Sequence, residues 1–136
     1  MNSSAPGAAL FEVVEREDFA RIRELLAEGA DINAPDPRTP FFDGETVLIS
    51  AANRGRADLV RLLLSNGAEV NARSASGWTA LMRACNGGRV DCVRLLLDAG
   101  ADPSIANDEG YTAYGRAPKN DAELLRLLRD RGADAL

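Results

Sequence analysis

Histidine is absent from this chain, and cysteine occurs only twice, at Cys85 and Cys92. Without histidine there is no Ser-His-Asp or Cys-His arrangement for nucleophilic catalysis and no His-containing zinc site. Two cysteines seven residues apart do not make a zinc set either. Aromatic residues are scarce, at 5% against 46% hydrophobic content, so Leu, Val and Ala must build the core. No apolar run approaches the roughly 20 residues of a membrane helix. The opening MNSSAPGAALFEVVE has neither a basic n-region nor the long apolar segment of a secretory signal. Positive charge is also short: 16 Lys and Arg face 21 Asp and Glu, a net charge of −5 and a pI near 4.8. Nucleic acid demands a basic footprint, so no nucleic-acid partner is expected. No phosphate-binding loop or dinucleotide fingerprint occurs; Gly87-Gly88 lies between two apolar segments, where Gly55 also sits. The expectation is a soluble, cytoplasmic chain with no membrane partner, no cofactor and no metal.

What the chain does contain is repetition. Gly44, Gly77 and Gly110 stand 33 residues apart, as do Thr46, Thr79 and Thr112. Asn66-Gly67-Ala68-Glu69 returns as Ala99-Gly100-Ala101-Asp102 and as Arg131-Gly132-Ala133-Asp134, and appears first as Glu28-Gly29-Ala30-Asp31. A fixed period of this length decides the fold before any other signal. In the unit 77–102, Thr79 suits the N-cap of a short helix with Leu81, Ala84 and Cys85 on its inner face. Gly87-Gly88 breaks that helix. A second begins near Val90, with Cys92, Val93, Leu95, Leu96 and Leu97 as its apolar side. Gly100 suits the left-handed residue after a helix, and Asp102-Pro103-Ser104 to Asp108-Glu109-Gly110 is turn chemistry. Each unit is therefore helix, turn, helix and an extended turn.

The unit resembles the ankyrin repeat, whose pattern runs G-x-T-P-L-H-x-A-A-x-x-G and then V-x-L-L-L-x-x-G-A-D-x-N-A. Here the middle copies read GETVLISAANRG with LVRLLLSNGAEVNA, and GWTALMRACNGG with CVRLLLDAGADPS. The resemblance covers roughly residues 8–136. It implies an all-α solenoid of four helix-turn-helix repeats joined by β-turn or hairpin fingers. Residues 1–7 read as a flexible lead-in, with Ser3 or Ser4 as a cap and Pro6 in the first turn. Residues 8–136 read as one repeat domain, with repeats near 8–43, 44–76, 77–109 and 110–136. The chain departs from the pattern at the family's Pro (Val47, Ala80, Ala113) and His (Ile49, Met82, Gly115), so the family's Thr–His hydrogen-bond network is missing.

The end repeats differ from the middle ones. Leu59 and Leu62 correspond to Arg21 and Glu24 in repeat 1, and Leu64 and Leu97 to Arg129 in repeat 4. A stacked array wets only its outer faces, so repeats 1 and 4 read as caps and the chain as a complete four-repeat protein. Asn33 to Gly44 spans eleven residues where Asn71 to Gly77 spans six, which puts five extra residues within 34–43. Pro35, Pro37 and Pro40 stiffen that loop. In repeat 4, Pro118 cannot sit in a helix interior, so the first helix there should end early. Cys85 and Cys92 fall in core registers and read as buried thiols, with a disulfide as the alternative.

The recurring Asp58/Arg61, Asp91/Arg94 and Glu123/Arg126 pairs read as a solvated outer face, with a charged docking stripe as the alternative. By position, the family resemblance implies a partner-binding surface on the finger tips and the inner side of the first helices. That surface comprises Phe41, Phe42, Asp43, Glu45, Asn53 and Arg54, then Arg73, Ser76, Trp78 and Asn86, then Asp108, Glu109 and Tyr111. Glu45, Trp78 and Tyr111 share one register and should line up on neighbouring fingers. Trp and Tyr are favoured interface anchors, although Trp78 also suits a lid over its own repeat. The longer loop either folds back to bury Phe41 and Phe42 or projects as a clamp. The expected function is binding of a partner protein without catalysis, the acids Asp43, Glu45, Asp108 and Glu109 favouring a basic patch on that partner. A dedicated immunity- or antitoxin-type inhibitor that occludes one enzyme is the alternative, and a carboxylate-based enzyme a remote one.

Overall fold

A computed structural model describes residues 7–38 and 42–132 of the chain. Among them are eight α-helices and no strand: α1 (Ala8–Glu15), α2 (Phe19–Ala27), α3 (Val47–Asn53), α4 (Ala57–Ser65), α5 (Ala80–Asn86), α6 (Val90–Asp98), α7 (Ala113–Arg116) and α8 (Ala122–Asp130). The odd-numbered helices lie side by side as one layer, and α4 packs against α6 in a second. Between the layers, α1 packs on α2, α3 on α4 and α5 on α6.

Local chemistry accounts for the boundaries. Thr46, Thr79 and Thr112 accept the backbone N–H three residues ahead, at 3.3, 3.2 and 3.3 Å. Each such cap is worth about 1 kcal/mol. The helix α7 is a single turn, because Ala117 turns extended ahead of Pro118. The turn between the paired helices requires a left-handed residue, supplied by Gly55 and Gly88 at φ 73° and 68°. In repeat 1 the same place is held by Glu17, at φ 58°. Its carboxylate takes Arg56 at 2.6 Å, which offsets part of the strain. The Ser3, Ser4 and Pro6 cap lies outside the described residues; α1 starts at Ala8, with Gly7 in the cap position and no side-chain cap bond.

The core is continuous from Leu10 to Leu128, and Ile22, Leu48, Leu59, Leu63, Leu81, Leu96 and Leu124 are among its fully buried members. Ile49 and Met82, in the family's His register, are 1% exposed, so that register holds apolar packing instead of a polar network. Arg21 and Glu24 are exposed and bonded to each other at 2.9 Å. Arg129 is exposed too, and donates to the Tyr114 hydroxyl at 2.8 Å. Cys85 and Cys92 are free and buried, so the disulfide alternative is not formed. Burial pushes the Cys85 thiol up to about 12. Of the three recurrent charge pairs, Asp91 and Arg94 approach at 3.8 Å, while Glu123 reaches Arg94 at 3.6 Å.

Candidate functional site

The fingers are built by one repeated hydrogen bond. Asp36 N–H donates to Glu45 O at 2.8 Å, Ser74 N–H to Trp78 O at 2.8 Å, and Asn107 N–H to Tyr111 O at 2.9 Å. This equivalence places the five extra residues of the first finger at 37–41. Neighbouring fingers are tied edge to edge, Ala75 N–H to Asp43 O at 2.8 Å and Asp108 N–H to Ser76 O at 3.0 Å. The Asp43 carboxylate strengthens the first tie, accepting from the hydroxyls of Ser74 and Ser76, each at 2.7 Å. Burial acts to raise the Asp43 pKa, but the bonds from Ser76 and Ser74 outweigh it and hold the carboxyl below its ordinary value.

The elongated finger folds back on repeat 1 through Arg38. Its guanidinium grips both oxygens of Glu15, at 2.9 and 2.6 Å, and Asp36 at 2.7 Å. The bond from Arg38 lowers the Glu15 pKa, with weaker help from Arg54. The same guanidinium lies 4.4 Å from the ring centre of Phe42 and 5.6 Å from that of Phe11. Phe42 is thus stacked on a cation and still 40% exposed, neither sealed into the core nor projecting freely. Phe41 lies outside the described residues.

Glu45, Trp78 and Tyr111 do align, and two arginines of the first helices interleave with them. Arg83 bonds Glu45 at 3.0 Å and covers the Trp78 ring at 4.1 Å. Arg116 stands 5.5 Å from Trp78 and 4.7 Å from Tyr111, and donates to Asn86 at 3.1 Å. The row reads Glu45, Arg83, Trp78, Arg116, Tyr111. Trp78 is half-buried and packed on the core, as a lid would be, whereas Tyr111 is 43% exposed. The sequence pattern of glycines and threonines did not single out Arg83 or Arg116; their shared 33-residue spacing was the available signal.

A groove of about 500 Å³ opens beside this row, lined by Phe42, Asp43, Glu45, Asn53 and Arg54 together with Glu15, Ser50 and Arg83. It gathers five of the expected residues. Arg73, Asp108 and Glu109 stand apart on the later fingers, where Arg73 donates to Ala106 O at 3.0 Å and lies 3.8 Å from Asp108. Exposed Ser76 and Asn86 serve as partners of Asp43 and Arg116. The expected rim of free acids needs correction. The Glu45 side chain is only 15% exposed and is paired with Arg83, and Asp43 is occupied by two serines. Burial raises the Glu45 pKa against the opposing pull of Arg83.

The family model for ankyrin repeats (three copies) matches residues 10–107 and 73–136. The chain belongs to the ankyrin-repeat family. Its helix pairs superimpose on the crystal structure of the ankyrin repeat domain of Bcl-3, a member of the IkappaB protein family. That match has a TM-score of 0.80 and 36% identity, covering 89% of this chain and 50% of that one. Over 70 residues the chain is 39% identical to the 2-5A-dependent ribonuclease of Mus musculus, covering 52% of this chain and 9% of the ribonuclease. Over 70 residues it is 38% identical to palmitoyltransferase Hip14 of Drosophila melanogaster, covering 49% and 10%. The chain thus spans about a tenth of the length of these curated relatives. Among the described residues of this ankyrin-repeat chain, no helix is long and apolar enough to cross a membrane.

Proposed function

We propose that this chain binds a partner protein through the concave surface formed by its fingers and first helices, and carries out no catalysis of its own. The observation that carries the reading is the convergence of Phe42, Asp43, Glu45, Asn53 and Arg54 on one groove. The arginine–aromatic row ending at exposed Tyr111 continues from it. The edge-to-edge bonds between fingers hold this surface in place before a partner arrives, so little conformational entropy is lost on docking. The acids lining the groove are each engaged by a neighbour, which suits a recognition surface better than an acid–base pair. A cytoplasmic setting belongs to the same reading.

Affinity capture from native lysate tests it, comparing the wild-type chain with Phe42→Ala/Tyr111→Ala. Both rings are exposed, so the melting temperature should hold within about 2 °C while capture of a specific protein falls at least tenfold. Undiminished capture by the variant refutes this surface.

A further inference from the structure

Beside the groove three glutamates are paired with arginines, while Asp43 in its wall is held by two serine hydroxyls. Glu15 is held by Arg38, Glu17 by Arg56 and Glu45 by Arg83. Three other arginines reach back to equivalent points, the last residues of the preceding first helices. Arg54 donates to Glu15 O at 3.3 Å, Arg89 to Asn53 O at 3.4 Å, and Arg116 to the Asn86 side chain at 3.1 Å. Each uses one N–H of a guanidinium that has five. Among the described residues none of the three has a carboxylate within 4.0 Å. The Nε of Arg116 is buried with no hydrogen-bond partner at all. They come from different registers of the repeat, the cap after α3, the cap before α6 and the end of α7, yet their acceptors close three successive first helices, and Arg54 alone of the three lines the groove.

We propose that the partner lies as an extended acidic segment of a protein along the row of Arg54, Arg89 and Arg116, which starts at Arg54 in the groove wall, its carboxylates received by these three arginines. The inference rests on the protein-binding reading above and names the chemistry of the partner, reversing the basic patch expected from composition. Neighbouring packed helices stand about 8–10 Å apart. A polyproline-II chain advances about 9 Å per three-residue turn and presents one face every third residue. Acidic side chains at i, i+3 and i+6 therefore meet successive arginines. Arginine also binds carboxylates in two-pronged fashion with its spare donors.

The test is selection of random 16-residue peptides on phage against the wild-type chain. The peptides recovered are then measured by fluorescence anisotropy on Arg54→Gln, Arg89→Gln and Arg116→Gln, singly and together. The single variants keep the experiment decisive if the triple variant fails to fold. Expected are peptides with Asp or Glu at three-residue spacing, about tenfold weaker on each single variant and weakened further by salt. Peptides lacking acids, or insensitive to all three changes, overturn the inference and leave the protein-binding reading standing. Recovery of no peptide also overturns the inference. Tighter binding of a 12-residue oligouridylate than of any selected peptide overturns the inference in favour of RNA.

Discussion

Asp43→Ala is the sharpest test of how the fingers are held. The carboxylate accepts two serine hydroxyls at 2.7 Å and the Ser76 N–H at 3.4 Å, all from the next finger. Hydrogen bonds to a charged group are worth about 1.5–3 kcal/mol each when buried. Partial exposure of this site brings the set to about 2 kcal/mol. Asp43 also sits at φ 55°, where alanine is less well tolerated than aspartate, adding roughly 0.5–1 kcal/mol. The expected loss of about 2.5–3 kcal/mol corresponds to roughly 10 °C in Tm for a chain of this size. Thermal and urea unfolding followed by circular dichroism, with Ser76→Ala and the double variant completing a cycle, measure it. The two losses should overlap by about 1 kcal/mol or more. The sign with pH is also set. The folded pKa of Asp43 lies below its unfolded value, so its stabilisation is present above the unfolded pKa and fades as pH falls through the folded one. The gap between wild type and Asp43→Asn should therefore narrow from pH 7 toward pH 3. A loss under about 0.5 kcal/mol, or simple additivity with Ser76→Ala, would show that Asp43 does not clasp the fingers.

Thr79→Ala removes the Met82 N–H acceptor and should cost about 1 kcal/mol in urea unfolding; a neutral result would mean the helix is set by packing alone. Glu17→Gly relieves a left-handed residue but loses the Arg56 pair, whereas Glu17→Ala loses the pair and keeps the strain. Glycine should be the more stable variant by roughly 0.5–1 kcal/mol, and the reverse order would deny strain at this turn. The thiols of Cys85 and Cys92 are buried and raised by burial, so an aromatic disulfide reagent at pH 8 should label neither until guanidinium unfolds the chain. Prompt labelling of the native protein would contradict the packing described for α5 and α6.

The glycines and threonines at 33-residue spacing, read with the apolar pattern between them and the resemblance to the ankyrin repeat, identified helix pairs, caps and fingers. These features depend on φ, on one side-chain cap and on apolar period, all local quantities written residue by residue. The extra length of the first finger and the short α7 before Pro118 were legible for the same reason. The alignment of Glu45, Trp78 and Tyr111 followed from shared register, because stacking repeats brings equal positions together. Charge was another matter. Glu45 looked like a free rim acid until Arg83 was seen beside it, 38 residues on, and Arg54, Arg89 and Arg116 share no register that sequence could align. Which acid meets which arginine depends on side chains crossing between repeats, and a long flexible guanidinium chooses its partner only after the backbone has brought several within reach. The tertiary structure alone therefore decided which acids are paired and which arginines, among the described residues, have no carboxylate beside them.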